Sequence, residues 1–160
     1  MASAPTPRRR PVVSTIVGVG YWSQMPHDPF KISVTFSYQT DDPYSVVADI
    51  SALDDSDPYH PHVSDSKRWE FARSLLAEAL TGRRMPTLVG DVRVSVYDSA
   101  TALIRLIDPD ACPNHPATFD MHLDLRLVRQ FLERTLAAVP AGDEGLFINL
   151  DRLVTQLLRT

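Results

Sequence analysis

Residues 67–82 read KRWEFARSLLAEALTG, and this stretch decides the fold. Trp69 and Phe71 lie two residues apart among charged residues, which is the alternation of a β-strand. From Ala72 onwards apolar residues recur at helical spacing and mark one face of a helix. Gly82 follows the last of them, where glycine commonly ends a helix in the left-handed conformation. The stretch therefore predicts a strand that runs directly into a helix.

A helix that begins earlier is the competing interpretation of the same stretch. Asp65 and Ser66 are both good N-cap residues, so either could start it. In both interpretations Trp69 and Phe71 fill the core, and the helix covers a sheet.

The rest of the chain supplies the other strands of that sheet. Residues 12–21 predict the first strand, and apolar residues recur at every second position at 31–39, 44–50, 92–97, 102–107 and 119–124. The strand at 102–107 is apolar on both faces at most positions, which favours burial on both sides. Turn residues at 40–43 predict that the second and third of these strands form an antiparallel hairpin.

Two more helices complete the predicted fold. Asp124 is placed to cap the second helix, which ends at Pro140 and Gly142. A third helix begins near Asn149, and apolar residues follow it at helical spacing: Leu150, Leu153, Val154, Leu157 and Leu158. The order is four strands, one helix, three strands and two helices. We therefore predict an α+β domain with three helices on a strongly bent antiparallel sheet of about seven strands.

The charge of the chain is unevenly distributed. The 160 residues are enough for one domain and carry a net charge of −4. Residues 1–11 hold three arginines and no acid, so the remainder carries −7. We expect residues 1–11 to be a disordered basic tail, and the apolar residues after them to form the first strand rather than a signal peptide. An acidic body is a poor partner for a phosphate backbone, which argues against nucleic-acid binding.

The sequence contains no motif for catalysis. Its six glycines are scattered and form no phosphate-binding loop, and no serine lies in a nucleophile elbow. No apolar run is long enough to span a membrane. Cys112 is the single cysteine, so no intrachain disulfide forms, which fits a reducing cytoplasm. We predict a non-enzymatic cytoplasmic protein without a cofactor.

Four side chains of the types that bind zinc lie in two loops. His60 and His62 belong to one loop, and Cys112 and His115 belong to another. Nothing in the sequence brings the two loops together, so no metal site is predicted.

Five short motifs follow one another along the chain. They are Asp42-Pro43-Tyr44, Trp69-x-Phe71-Ala72-Arg73-x-Leu75-Leu76-Ala77-Glu78, Gly90-Asp91-Val92-Arg93-Val94, Phe131-Leu132-x-Arg134-Thr135 and Ala137-Ala138-Val139-Pro140-x-Gly142. Their order and spacing resemble the SsgA-like family of actinobacterial sporulation and cell-division proteins.

The resemblance covers roughly residues 13–158 and implies a single domain at 12–160. It implies a fold similar to that of Whirly-type nucleic-acid-binding proteins, assembled as a homotrimer. It also implies a protein at the sporulation septum that helps to place and assemble the tubulin-like protein FtsZ. The family pattern marks no catalytic residue. The tail at 1–11 and the loops at 54–66 and 108–116 are longer than in SsgB-type members. Other septum proteins or other SsgA-like proteins therefore stay open as partners.

Two functions are consistent with this fold. The first is a cell-division adaptor that binds other proteins, and the second is a Whirly-like protein that binds single-stranded nucleic acid. A single-strand binder needs a basic groove with exposed aromatic side chains. The acidic body favours the adaptor.

An adaptor without a pocket binds its partner through an exposed surface, and the first two helices offer one. The predicted partner-binding residues are Arg73, Ser74, Glu78, Arg126, Arg129 and Glu133. Arg73 is favoured because the first helix begins at the most family-specific stretch. In the alternative interpretation Arg73 pairs with a neighbouring acid and serves the fold. Arg129 and Glu133 are four residues apart, so we expect them to pair on the solvent side of their helix.

Overall fold

Seven strands and two α-helices make up most of the described chain. The computed structural model describes residues 11–23, 25–53, 66–82, 90–108, 117–148 and 154. The elements are β1 (Val12–Trp22), β2 (Met25–Gln39), β3 (Asp42–Ala52), β4 (Lys67–Ala72), α1 (Arg73–Leu80), β5 (Val92–Val96), β6 (Thr101–Asp108), β7 (Ala117–Asp124) and α2 (Leu125–Ala138), followed by a 3-10 helix (Glu144–Phe147).

The strands form one antiparallel sheet in the order β4-β3-β2-β1-β7-β6-β5. β1 joins its two halves, because it pairs with β2 along most of its length and with β7 from Val19 to Trp22. α1 follows β4 at one edge of the sheet and packs against β5 at the other edge. The sheet therefore curls, and the predicted α+β class with a bent seven-stranded sheet is confirmed.

The core lies inside this curl. Every second residue of the strands faces inward, and the helices add one apolar stripe each. Its fully buried large side chains include Ile16, Ile32, Val34, Phe36, Ile104, Met121, Leu123, Leu76, Val128 and Phe131. Phe36 on β2 and Phe131 on α2 are in ring contact at 5.4 Å between centroids. Each such side chain stabilises the fold by roughly 1.5–3 kcal/mol relative to an exposed one.

The direct passage from strand to helix is confirmed. β4 pairs with β3 up to Ala72, and α1 begins at the next residue. Phe71 is buried, and Trp69 is half-buried against the core. The earlier helix start at Asp65 or Ser66 is wrong, because residues 67–72 already belong to the ladder with β3. Gly82 has a φ of 75°, as its position after the helix predicts.

β2 is longer than the alternation predicts. It begins at Met25, and residues 25–30 extend it with exposed or half-buried side chains. These residues pair with the end of β1, while β3 ends at Ala52 opposite Ile32. One edge of this segment is therefore not paired with β3, which is where a strand tolerates Pro26 and Pro29.

Several predictions fall outside the described residues. These are the basic tail before residue 11, the greater part of the loops at 54–66 and 108–116, and the third helix. Of that helix the structure describes Val154, which is helical and 53% exposed. Within the described ranges the fold has two α-helices, and no helix there is long and apolar enough to cross a membrane.

Candidate partner-binding surface

The second helix is fixed at its start by its predicted cap. The Asp124 side chain accepts a hydrogen bond from the backbone N–H of Leu127 at 3.1 Å. The helix buries one stripe against the sheet: Leu125, Val128, Phe131, Leu132 and Thr135. Arg126, Arg129, Gln130 and Glu133 lie on the opposite side and are exposed. The same amphipathic pattern therefore packs one face of the helix on the sheet and leaves a charged face in solvent.

This charged face borders an open depression beside the turn between β5 and β6. Its lining residues are Ser99, Ala100, Asp124, Leu125, Arg126, Arg129, Gln130 and Glu133. The turn is held against the helix, because Leu125 N–H donates to the Ala100 carbonyl at 2.8 Å. We call Arg126, Arg129, Gln130 and Glu133, together with Ser99 and Ala100, the α2 surface.

The turn itself is closed by hydrogen bonds to the side chain of Asp98. The Asp98 carboxylate accepts the Ala100 N–H at 2.8 Å, and this hydrogen bond, together with one from Thr101, lowers the pKa of Asp98. No residue of this turn was among the predicted partner-binding residues. The available signal was an aspartate two residues before an N–H donor, which is typical of an Asx-turn.

The charged side chains of the α2 surface are largely unpaired. Arg126 approaches Asp124 at 4.0 Å, but both are exposed, and such pairs contribute little. Among the described residues, Arg129 and Glu133 have no hydrogen-bond or ion-pair partner, so the expected pair between them is not formed. Their charges are therefore free to meet a partner.

Arg73 corrects the sequence interpretation. It is the first residue of α1 and only 4% exposed, so it does not belong to a solvent-facing surface. α1 buries Arg73, Leu76 and Leu80, whereas Ala72 at the start of the expected stripe is exposed. The buried face is rotated because the Arg73 guanidinium is occupied inside the fold.

The Arg73 guanidinium caps the carboxyl end of α2. Its Nη1 donates to the carbonyls of Val139 at 2.6 Å and Thr135 at 3.2 Å, and to the Tyr38 hydroxyl at 3.2 Å. Carbonyls at the carboxyl end of a helix carry partial negative charge, and the Thr135 carbonyl accepts the Val139 N–H at 2.9 Å as well as the Arg73 guanidinium. Burial raises the pKa of the Tyr38 hydroxyl, and the cation at Arg73 opposes that rise. Arg73 therefore ties α1, β2 and α2 together.

The second arm of the guanidinium reaches the 3-10 helix. Nη2 of Arg73 and Oε1 of Glu144 are 2.5 Å apart, and Glu144 Oε2 accepts the Gly142 N–H at 2.7 Å. The alternative in which Arg73 pairs with an acid and serves the fold is therefore the one that the structure shows. Nothing in the sequence could identify this acid, because it lies 71 residues further along the chain.

The remaining α1 residues do not join the α2 surface. Ser74 is exposed and Glu78 is half-buried. Neither lines the depression beside α2, whereas Arg126, Arg129 and Glu133 all do. The structure thus brings together the three predicted residues of the second helix and separates them from those of the first.

The candidate zinc ligands cannot be placed, because His60, His62, Cys112 and His115 all lie outside the described residues. In the part of the chain that is described, no group of three or more His, Cys, Asp or Glu side chains could hold a metal ion. The prediction about zinc stays a prediction.

Comparison with known families decides what kind of protein carries this surface. Residues 32–144 match the family model described as "Streptomyces sporulation and cell division protein, SsgA". The chain belongs to the SsgA family. The matched range runs from β2 through α2 and includes the whole α2 surface. The family resemblance seen in the sequence is confirmed.

Curated relatives place the chain near the SsgB members of the SsgA family. It is 35% identical over 126 residues to the sporulation-specific cell division protein SsgB of Streptomyces coelicolor, covering 76% of this chain and 77% of that protein. It is 33% identical over 129 residues to SsgB of Saccharopolyspora erythraea, covering 79% of each. The relatives support a cell-division role, and the family is not a known enzyme family.

Solved structures of SsgA-like proteins share the fold. A crystal structure of an SsgA-like sporulation-specific cell division protein from Thermobifida fusca superposes with a TM-score of 0.65 at 25% identity, covering 98% of both chains. A second structure comes from work on SsgB mutations and longitudinal cell division during sporulation of Streptomyces coelicolor. It superposes with a TM-score of 0.60 at 27% identity, covering 87% of this chain and 96% of that one.

Proposed function

We propose that this chain is a non-enzymatic adaptor of sporulation-specific cell division that binds a division protein through the α2 surface. The partner is FtsZ, another septum protein or another SsgA-like protein. The adaptor acts as a homotrimer on the cytoplasmic side of the division septum and contributes to septum placement. The names of its relatives support a role in sporulation-specific cell division, and the α2 surface supports partner binding as the mode of action.

One observation carries this proposal: Arg129 and Glu133, which have no hydrogen-bond or ion-pair partner in the part of the chain that the structure describes, stand on a helix that is fixed at both ends. α2 is capped at Asp124 and held at its carboxyl end by Arg73, so its exposed face is preorganised. Preorganisation reduces the entropy that an interface loses on binding. Arginine is enriched among the residues that dominate binding energy, and mixed charge around it favours specific, reversible association.

The shape of the α2 surface supports a protein partner. The depression is open, and its walls carry four charged side chains: Asp124, Arg126, Arg129 and Glu133. Pockets for small molecules are usually enclosed and predominantly apolar. An open and polar surface of this kind suits a protein partner better than a small molecule.

The test is a pull-down from sporulating actinobacterial cells with the tagged full chain as bait. Wild type is compared with Arg129→Glu, which reverses an exposed charge of the α2 surface. Arg93→Glu is the matched control, because Arg93 is an exposed arginine on β5 that does not line the depression. We expect wild type and Arg93→Glu to recover the same division protein and Arg129→Glu to lose it.

Two outcomes would count against the proposal. Equal recovery by Arg129→Glu would place the interface elsewhere. Salt-sensitive binding of a short single-stranded oligonucleotide by the purified chain would instead favour the nucleic-acid function, since phosphate contacts weaken as salt rises.

A further inference from the structure

The segment that contains the 3-10 helix is attached to the fold by Glu144 and Phe147. Glu144 pairs with Nη2 of Arg73, and Phe147 packs against the hydrophobic core. The 3-10 helix contacts β3, but no residue from 143 to 148 is buried, and Leu146 is 81% exposed. We call residues 143–148 the strap. A segment that buries so little of its surface belongs to the part of a protein that opens most readily.

The backbone hydrogen bonds of the strap are local. The Asp143 N–H donates to the Pro140 carbonyl at 3.1 Å, and the Leu146 N–H donates to the Asp143 carbonyl at 2.9 Å. Oε2 of Glu144 accepts the Gly142 N–H at 2.7 Å. Among the residues that the structure describes, no backbone group of the strap joins the ladder of a strand. Opening of the strap therefore leaves the hydrogen bonds of the sheet intact.

A turn with glycine in its third position joins the strap to α2. Residues 140–143 form this turn, and Gly142 has a φ of 93°, in the left-handed region that glycine adopts without steric cost. On the α2 side of the turn, Val139 is buried, and its carbonyl accepts a hydrogen bond from Nη1 of Arg73 at 2.6 Å. Turn residues that absorb a change in φ and ψ serve as hinges. The turn at Gly142 is thus a hinge between a fixed helix end and a loosely attached segment.

The two terminal nitrogens of Arg73 have different tasks. Nη1 donates to the Thr135 and Val139 carbonyls and to the Tyr38 hydroxyl, all of which belong to the body of the fold. Nη2 donates to Glu144 of the strap. Opening of the strap leaves the three contacts of Nη1 in place and lets water reach Nη2. The cation is then solvated on the side that loses its carboxylate, so it does not become a buried charge without a partner.

This division predicts two different consequences of breaking the same ion pair. Loss of the Arg73 side chain affects α1, β2 and α2 together, because Nη1 joins them. Loss of the Glu144 carboxylate removes one attachment of the strap and no contact of Nη1. The pair is therefore a structural link from the side of Arg73 and a releasable contact from the side of Glu144.

We propose that the strap opens and closes about Gly142 while the rest of the fold stays intact, and that Glu144 thereby controls the access of solvent to Nη2 of Arg73. The closed strap covers the guanidinium, and the open strap exposes its Nη2 edge. This device goes beyond the proposed function, because the strap follows the carboxyl end of α2, whereas the depression of the α2 surface lies at residues 124–133 near its start. It stands or fails independently of that surface.

The test is amide hydrogen exchange of the full chain at neutral pH, in wild type and in Glu144→Gln. We expect the amides of residues 143–147 to exchange about tenfold faster or more in Glu144→Gln, the factor that corresponds to losing one charge-assisted hydrogen bond. The amides of α2 from Val128 to Thr135 should keep their wild-type rates. Asp143→Asn is the matched control, because Asp143 is the exposed neighbouring acid and its side chain makes no capping hydrogen bond. Its exchange should equal that of wild type.

Two further measurements locate the hinge and the exposed group. Gly142→Ala should also accelerate exchange in the strap, because alanine strains the closed turn, whereas Gly145→Ala should not. No heavy atom lies within 4 Å of a Cβ built at either glycine, so the two variants differ in backbone conformation and not in packing. In nuclear magnetic resonance spectra, the Nη2 protons of Arg73 should exchange with water about tenfold faster in Glu144→Gln than in wild type.

Three results would overturn the proposal. The first is unchanged exchange of residues 143–147 in Glu144→Gln, which would show that the ion pair does not hold the strap closed. The second is faster exchange that extends equally over α2 and β3, which would make Glu144 part of the global fold. The third is equal exchange in Gly142→Ala and Gly145→Ala, which would place the hinge elsewhere.

Discussion

The Nη2 atom of Arg73 and the Oε1 atom of Glu144 lie 2.5 Å apart, and this pair joins the first residue of α1 to the 3-10 helix that follows α2. The same guanidinium donates to two carbonyls at the end of α2 and to Tyr38. One side chain thus connects four elements. Arg73 therefore helps to build the fold that presents α2.

Replacing Arg73 should destabilise the chain strongly. Arg73→Met removes the cation and leaves the Thr135 and Val139 carbonyls without this donor in a buried site. Breaking a buried, hydrogen-bonded charge pair costs about 3–5 kcal/mol, so the free energy of unfolding should fall by roughly that amount. Urea denaturation measures it. Ser74→Ala is the neighbouring control, because Ser74 is exposed and its change should stay within about 0.5 kcal/mol. A Met variant as stable as that control would refute the structural role of Arg73.

Stability should depend on pH through Glu144. Its pKa is lowered, first by a hydrogen bond from its own backbone N–H and further by Arg73 and the Gly142 N–H. A carboxyl with a lowered folded pKa stabilises the fold fully above its unfolded pKa of about 4.3, and this contribution is lost as the pH falls through the folded pKa. Urea midpoints between about pH 6 and pH 3 should therefore fall less steeply for Glu144→Gln than for wild type.

A second carboxylate provides the comparison for this pH series. The pKa of Asp98 is also lowered, chiefly by the Ala100 N–H. The urea midpoint of Asp98→Asn should therefore also fall less steeply with decreasing pH than that of wild type, independently of Glu144. If the urea midpoints of wild type and Glu144→Gln fell in parallel as the pH decreased, the pair between Glu144 and Arg73 would not contribute to stability over this pH range.

Gly18 is required by close packing between β1 and β7. A Cβ at this position would lie 2.5 Å from the His122 carbonyl oxygen and would also clash with Leu123 Cδ2. The carbonyl is backbone and cannot rotate away, so Gly18→Ala should cost about 1–3 kcal/mol of stability. Gly145→Ala is the matched control, because no heavy atom lies within 4 Å of its added Cβ. Thermal unfolding should separate the two variants, and equal melting temperatures would contradict the packing.

The strands could be read from the sequence because each buries one face. Val34 and Phe36 alternate with polar residues, and such a pattern fits only a strand with one side in the core. The passage into α1 could be read for the same reason, since the period changes at Ala72. The start of β2 at Met25 could not be read, because its first five residues bury neither face.

Arg73 was misplaced because its partners are distant in sequence. A local pattern treats an arginine at the start of a helix as a solvent-facing residue. Its burial depends on carbonyls 62 and 66 residues away, which only the folded chain brings close. The exposure of the predicted α2 residues could be read from the sequence, because the stripe that contains Val128 leaves only one side of that helix exposed.

The oligomeric state can be measured directly. Leu150, Leu153, Leu157 and Leu158 recur at helical spacing in the sequence, and Val154, which belongs to the same pattern, is 53% exposed in the single chain. We therefore expect association, with a trimer as the proposed state. Sedimentation of the full chain at micromolar concentration should show a species heavier than 17.9 kDa, whereas a clean monomer would contradict the trimer.

The most direct test of the account is the Kd of the captured division protein for wild type and for Arg129→Glu. Arg129 is exposed and unpaired among the described residues, so its reversal should leave the free energy of unfolding within about 0.5 kcal/mol of wild type. If the α2 surface is the interface, the Kd should rise by about tenfold or more, as expected when the charge of a hot-spot arginine is reversed. An unchanged Kd in a folded Arg129→Glu variant would contradict the claim that this protein acts through α2.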